Sequence, residues 1–120
     1  MTFTVSLLYG SVRTARQGIK VARYLHTKLR ERDIHTHFID PMEYKLPFLD
    51  KMYKEYKREE ATETMTILSD YFMESDGFLV VSGEYNHGIP PALKNLLDHF
   101  QKEFFFKPAA IASYSAGHFG

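Results

Sequence analysis

Apolar and polar residues follow one another along this chain in short blocks of two different periods. Phe3-Thr4-Val5-Ser6-Leu7-Leu8-Tyr9 is rich in strand formers and stops at Gly10, which predicts a short buried strand. Ile19, Ala22, Leu25 and Leu29 then recur at helical spacing, with lysines and arginines on the other faces. That pattern predicts an amphipathic helix reaching about Arg32. Ile34 to Asp40 alternates at period two and ends at Asp40-Pro41, a second strand. From Met42 to Glu60 the period fades. Leu46-Pro47-Phe48-Leu49-Asp50 reads as an ordered loop and Lys51 to Glu60 as a charged, solvated lead-in. Met65, Leu68 and Phe72 share one helical face that closes near Asp76-Gly77, and Phe78-Leu79-Val80-Val81 is an apolar strand ended by Ser82-Gly83. Pro90-Pro91 opens a third helix, where proline's fixed φ is tolerated in the first turn. Its core stripe is Leu93, Leu96, Leu97 and Phe100, and Ala109-Ala110-Ile111-Ala112 follows as a fourth strand.

Strands and helices therefore alternate. Apolar strands in that order call for a parallel sheet covered by helices on both faces, a doubly wound α/β domain. At 120 residues the chain is expected to be a single domain, residues 1–120.

Composition narrows the function classes. Fifteen lysines and arginines balance fifteen aspartates and glutamates, so the basic field on which nucleic-acid binding relies is missing. No cysteine is present, which removes disulfides, thiolate nucleophiles and cysteine-ligated zinc together. No run approaches the roughly 18 apolar residues of a membrane helix, and Met1-Thr2-Phe3-Thr4 lacks the basic region of a signal peptide. A soluble cytoplasmic protein, bound neither to nucleic acid nor to membrane, is the expectation.

In open α/β sheets, ligands bind beyond the carboxyl ends of the strands. Three loops leave such ends here. Gly10 to Gly18 runs from strand to helix, and unpaired helix amides with hydroxyl donors suit an anion. Ser11, Thr14, Gln17 and one or both of Arg13 and Arg16 are candidates for a phosphate cradle, although neither GxGxxG nor the P-loop pattern is present. Gly83 to Pro90 offers the aromatic face of Tyr85 and the amide of Asn86 to a flat heterocycle. Ser113 to Gly120 is small and glycine-bearing, fit to lie against the edge of the same ring.

Gly10-Ser11-x-Arg13 resembles the phosphate loop of the NADPH-dependent FMN reductase family. Glu84-Tyr85-Asn86-His87 followed by Pro91-Ala92-Leu93-Lys94-Asn95-Leu96-Leu97-Asp98 is similar to its central signature. Lys107-Pro108-Ala109-Ala110 through Ser113-Tyr114 and Gly117 resembles its third segment. The likeness covers nearly the whole chain, in family order. It implies a flavodoxin-like fold and non-covalent FMN, with the phosphate at Ser11 and Arg13 and near Gln17 and Gly18. Glu84, Tyr85, Asn86 and His87 would surround the isoalloxazine, and Ser113, Tyr114, Ser115 and Gly117 would complete the pocket. It also implies NADPH or NADH as hydride donor to the flavin, and a quinone, azo compound, metal oxyanion, free flavin or oxygen as acceptor. A homodimer or homotetramer goes with it. Since the cofactor carries the chemistry, no catalytic acid or base is expected.

Two positions depart from the family pattern. Gly83 stands where proline is usual, which is expected to loosen its loop, and Ser115 where glycine is common. Relatives also continue with a fifth strand and two helices, so the chain is expected to be incomplete at its C-terminus, with the fourth strand a bare edge.

Among the six histidines, His35 and His37 share a strand face, a spacing two metal ligands can use. No cysteine or carboxylate clearly converges on them, so they are read as exposed strand positions and no metal is expected. His87 and His118 are read as ring contacts, His99 as a surface or interface residue, and Phe104-Phe105-Phe106 as core with an interface contribution. The competing function is a flavodoxin-type FMN electron carrier that does not use NAD(P)H. Such carriers dock through strong acidic charge, and zero net charge argues against one.

Overall fold

A computed structural model describes residues 2–117. Strands β1 (Thr4–Tyr9), β2 (His35–Ile39), β3 (Gly77–Ser82) and β4 (Ala109–Ser113) pair in the order β2-β1-β3-β4. Every pairing is parallel, with Leu8 opposite Ile39 and Val80, and Val80 opposite Ile111. Helices α1 (Ile19–Glu31), α2 (Glu63–Glu74) and α3 (Pro91–Asp98) supply the crossovers. All four carboxyl ends consequently lie on one edge of the sheet.

Strand alternation divides the core into two layers. Leu8, Ile39 and Phe78 face α2 and α3, where Leu68, Phe72, Leu93, Leu96 and Phe100 complete a buried cluster. Leu7, Tyr9 and Val81 face the opposite way, onto Ala22 of α1 with Ile19, Leu25 and Leu29 around it. Phe72 is the hub of the first layer. Its ring centroid lies 5.2 Å from that of Phe100, 5.4 Å from Phe104 and 5.8 Å from Phe78, within the range of favourable aromatic pairs.

The ends of α2 are closed by side chains. Thr62 Oγ1 accepts from the Met65 amide at 3.2 Å, satisfying one of the orphan donors of the first turn. Lys107 Nζ donates to the carbonyls of Phe72 and Met73 at 2.7 and 2.9 Å, so a cation sits where the helix dipole is negative. Buried polar groups are also paired: Ser6 Oγ with Ser75 Oγ at 2.7 Å, and Ser69 Oγ with Glu103 Oε2 at 2.8 Å.

Two expectations need correction. His99, read as a surface or interface residue, is fully buried. Helix α3 stops at Asp98, so the chain turns inward there. The 3-10 turn Tyr53–Glu55 then covers it, with the Tyr53 amide donating to the His99 carbonyl at 2.8 Å. The three phenylalanines divide between core and surface. Phe104 packs on Phe72 and Phe78, whereas Phe105 and Phe106 are exposed on the β4 side. Finally, a carboxylate does converge on His35 and His37, that of Glu74.

Phe72→Ala should destabilise the protein by about 3–5 kcal/mol, the usual cost of emptying a buried aromatic site. Urea unfolding measured against the wild type checks this.

Candidate functional site

The site begins with the loop leaving β1. Arg16 reaches across the sheet edge to the end of β2, where Nη1 and Nη2 donate to Asp40 Oδ1 and Oδ2 at 2.5 and 2.8 Å. Nη1 also donates to the Ser11 carbonyl at 3.2 Å. Both partners of this bidentate pair are largely buried, and the guanidinium lies over the ring of Tyr9. Burial by itself would raise the Asp40 pKa. The hydrogen bonds from Arg16 and from the Met42 amide overcome it and hold Asp40 below its ordinary 3.8. The same hydrogen bond raises the pKa of Arg16 further.

With Arg16 committed to Asp40, Arg13 is left exposed at the loop tip, without a carboxylate partner among the described residues. Its guanidinium stands 5.8 Å from the ring centroid of Tyr85, on the β3 loop. Tyr85 in turn donates its hydroxyl to Ser11 Oγ at 3.0 Å, joining the two loops. Tyr85 and Gly88 exchange backbone hydrogen bonds at 3.1 and 2.9 Å. Between them, Asn86 and His87 both have positive φ, 51° and 62°, the pattern of a type I′ turn. Asparagine and histidine enter this region more readily than most residues, which is why the chain can turn so tightly there. His87 Nδ1 lies 3.1 Å from Glu84 Oε2.

The third loop enters through Tyr114. Its amide donates to the Ser82 carbonyl at 3.1 Å, and its ring lies between the other two loops. A Cβ on Gly18 would sit 1.8 Å from the Tyr114 hydroxyl, and one on Gly83 3.2 Å from its ring. Both glycines therefore make room for this side chain. Gly83 is thus the seat of an aromatic ring, which gives the departure from proline a steric reason. Burial first, and then the neighbouring Tyr9 hydroxyl, push the Tyr114 phenol well above its ordinary pKa, so it stays protonated at all physiological pH values.

Ser11, Arg13, Gln17, Gly18, Tyr85 and Tyr114, with Ala15 and Arg16, line one cavity of about 150 Å³. Six residues expected from the sequence thus meet in a single place. No carboxylate lines it, and the first turn of the helix behind it is free of acidic residues. A pocket with hydroxyl, amide and guanidinium donors at a helix N-terminus fits a phosphate group. Glu84, Asn86, His87, Ser113, Ser115 and Gly117 lie outside that cavity, while His118 falls outside the described residues. The Asp40 partner of Arg16 was missed in the sequence. An arginine in the loop and an aspartate ending the next strand were visible, but nothing at that separation links them.

The family profile described as NADPH-dependent FMN reductase matches residues 3–120. The chain belongs to this family. It is 30% identical over 121 residues to an NAD(P)H-dependent FMN reductase of Nectria sp, covering 92% of this chain and 58% of that protein. It is 29% identical to a quinone reductase of Pseudomonas putida, over 98% of this chain and 63% of that one. Among solved structures, the flavoenzyme NAD(P)H:(acceptor) oxidoreductase FerB of Paracoccus denitrificans superposes with a TM-score of 0.77 at 27% identity. That match covers 97% of this chain and 63% of the FerB chain. The chain thus spans about three fifths of the length of these family members. The parallel sheet of order β2-β1-β3-β4 is the flavodoxin-like arrangement expected of the family.

Because the folded pKa of Asp40 is depressed, its contribution to stability is complete above the ordinary value of 3.8 and fades as pH falls through the lower folded value. Asp40→Asn should cost about 1.5–3 kcal/mol at neutral pH, the scale of hydrogen bonds to a charged group. The difference from wild type should shrink below about pH 4. Urea unfolding of both proteins across that range checks the sign and the window.

Proposed function

We propose that this chain holds the FMN of an NAD(P)H-dependent oxidoreductase, with the phosphate in the cavity between Ser11, Arg13, Gln17 and Gly18. The observation that carries the reading is the convergence of three loops on one polar cavity that has donors and no carboxylate. Membership of the NADPH-dependent FMN reductase family supports the same cofactor and donor.

Each residue has a role in that reading. Arg13 supplies the positive charge, and Ser11, already an acceptor from Tyr85, turns its own proton toward the phosphate. Gln17 adds an amide donor. Arg16 positions the loop through Asp40 and does not itself carry the ligand's charge. The Tyr85–Gly88 turn presents Glu84, Asn86 and His87 along the isoalloxazine, and Tyr114 closes the floor, with Ser113, Ser115 and Gly117 at its edge. When bound, FMN supplies the capacity to accept hydride from NADPH or NADH and to pass electrons on. The protein needs no acid or base of its own for that step.

The acceptor is a small oxidant: a quinone, as in the name of the Pseudomonas relative, an azo compound, a metal oxyanion, free flavin or oxygen. A cytoplasmic homodimer or homotetramer completes the proposal. Among the described residues no helix is long and apolar enough to cross a membrane.

The experiment is a visible spectrum of the FMN-reconstituted protein, recorded anaerobically before and after adding NADPH. Flavin bands that appear on reconstitution and bleach with NADPH are the expected result. Bands that persist with both NADPH and NADH would replace the reductase by an electron carrier.

A further inference from the structure

At the amino edge of the sheet, opposite the proposed flavin site, His35 and His37 of β2 meet Glu74, the last residue of α2. The ligating atoms of these three side chains all lie within 4.8 Å of one another. His37 Nε2 is hydrogen-bonded to Glu74 Oε1. We propose that His35, His37 and Glu74 form a binding site for one divalent transition-metal ion of the zinc type.

Strand geometry brings the two imidazoles together. Positions i and i+2 project from the same face of a strand, and the two rings stand edge to face with centroids 4.9 Å apart. The orientation of His37 is set by stacking on Tyr71, one turn before Glu74 on α2, at 3.9 Å and an interplanar angle of 11°. His37 is thus held with one ring nitrogen on the carboxylate that would be its fellow ligand.

The donor set is two imidazoles and one carboxylate, a combination used by zinc, with water filling the remaining position. It is too nitrogen-rich for calcium or magnesium, which take oxygen ligands. Access is open, since His35 is exposed and the Glu74 side chain is 54% exposed. Charge also favours a cation. Lys107 already serves the helix end, through the carbonyls of Phe72 and Met73, so the negative charge at the site is that of the carboxylates, Glu74 first. The Asp76 carboxylate, accepting from the Thr4 amide at 2.8 Å beside the Thr4–His35 pairing, adds negative charge at the same edge.

A bound ion would clamp β2, an edge strand of the sheet, to the end of α2. A ligand of the native state alone raises its stability by mass action. The site is far from the phosphate cavity, so the effect is on stability and does not rest on the proposed flavin chemistry.

The test is a calorimetric titration of chelator-stripped protein with zinc chloride, together with thermal unfolding with and without the ion. Wild type, His35→Ala, Glu74→Gln and the double variant are compared, with circular dichroism confirming that each is folded. His35 and the Glu74 side chain are exposed, so these replacements leave the core intact, whereas His37 is avoided because it packs on Tyr71. One ion bound per chain is expected, with a rise in melting temperature. Each single variant should lose at least the roughly 10-fold in affinity that even an outer partner of a metal site contributes, and the double variant should lose the melting shift. Absence of binding to the wild type overturns the proposal, as does binding of equal strength to the double variant.

Discussion

The carboxyl edge of the sheet depends on how three loops from different strands are held at fixed separations. No regular hydrogen-bond ladder does this, because the loops lie beyond the last strand pairings. The ring of Tyr114 does, occupying the space that Gly18 and Gly83 leave. It fixes the β4 loop against the start of α1 on one side and the end of β3 on the other. A side chain on Gly18 would overlap the Tyr114 hydroxyl and push the ring from its place, and one on Gly83 would press on the ring edge. The ring also forms one wall of the cavity of about 150 Å³.

Two arginines in one loop then divide the work by environment. Arg16 is shielded, paired in fork geometry with Asp40 and stacked over Tyr9. It ties the β1 loop to the end of β2, and its charge is already neutralised. Arg13 is exposed, without a carboxylate partner among the described residues, so its charge remains available to an anion. A charged group left unpaired beside hydroxyl and amide donors is what phosphate recognition needs. At the opposite edge, Glu74 and Asp76 gather with His35 and His37 around the end of α2, whose last carbonyls are held by Lys107.

The layered fold was legible because each element announces itself locally. Phe78 to Val81 reads as a strand from its apolar run, and Leu93, Leu96 and Leu97 read as a helix from their spacing. Both lie in those elements, and the parallel sheet follows from the alternation, while the order β2-β1-β3-β4 came into view only with the fold. Among the residues that line the cavity, Ser11, Arg13 and Gln17 were candidates from one loop sequence and Tyr85 from another, whereas Gly18 and Tyr114 were named through the family resemblance. What stayed hidden was long-range. The Arg16–Asp40 bridge spans two loops. Glu74 meets His37 only because α2 packs across β2. His99 is buried because a distant 3-10 turn folds over it. The spacing of residues along a chain does not carry such meetings, which depend on how elements dock.

The claim at the centre of this account is that Arg13 and Ser11 hold a phosphate. Its most direct measurement is the affinity of the protein for FMN compared with riboflavin, in wild type and in Arg13→Ala. Wild type is expected to prefer FMN, and Arg13→Ala to lose about 1.5–3 kcal/mol of FMN binding, the scale of a charged hydrogen bond. Riboflavin binding should be nearly unchanged. Equal affinity for the two flavins in wild type, or an equal loss for both in the variant, would contradict it.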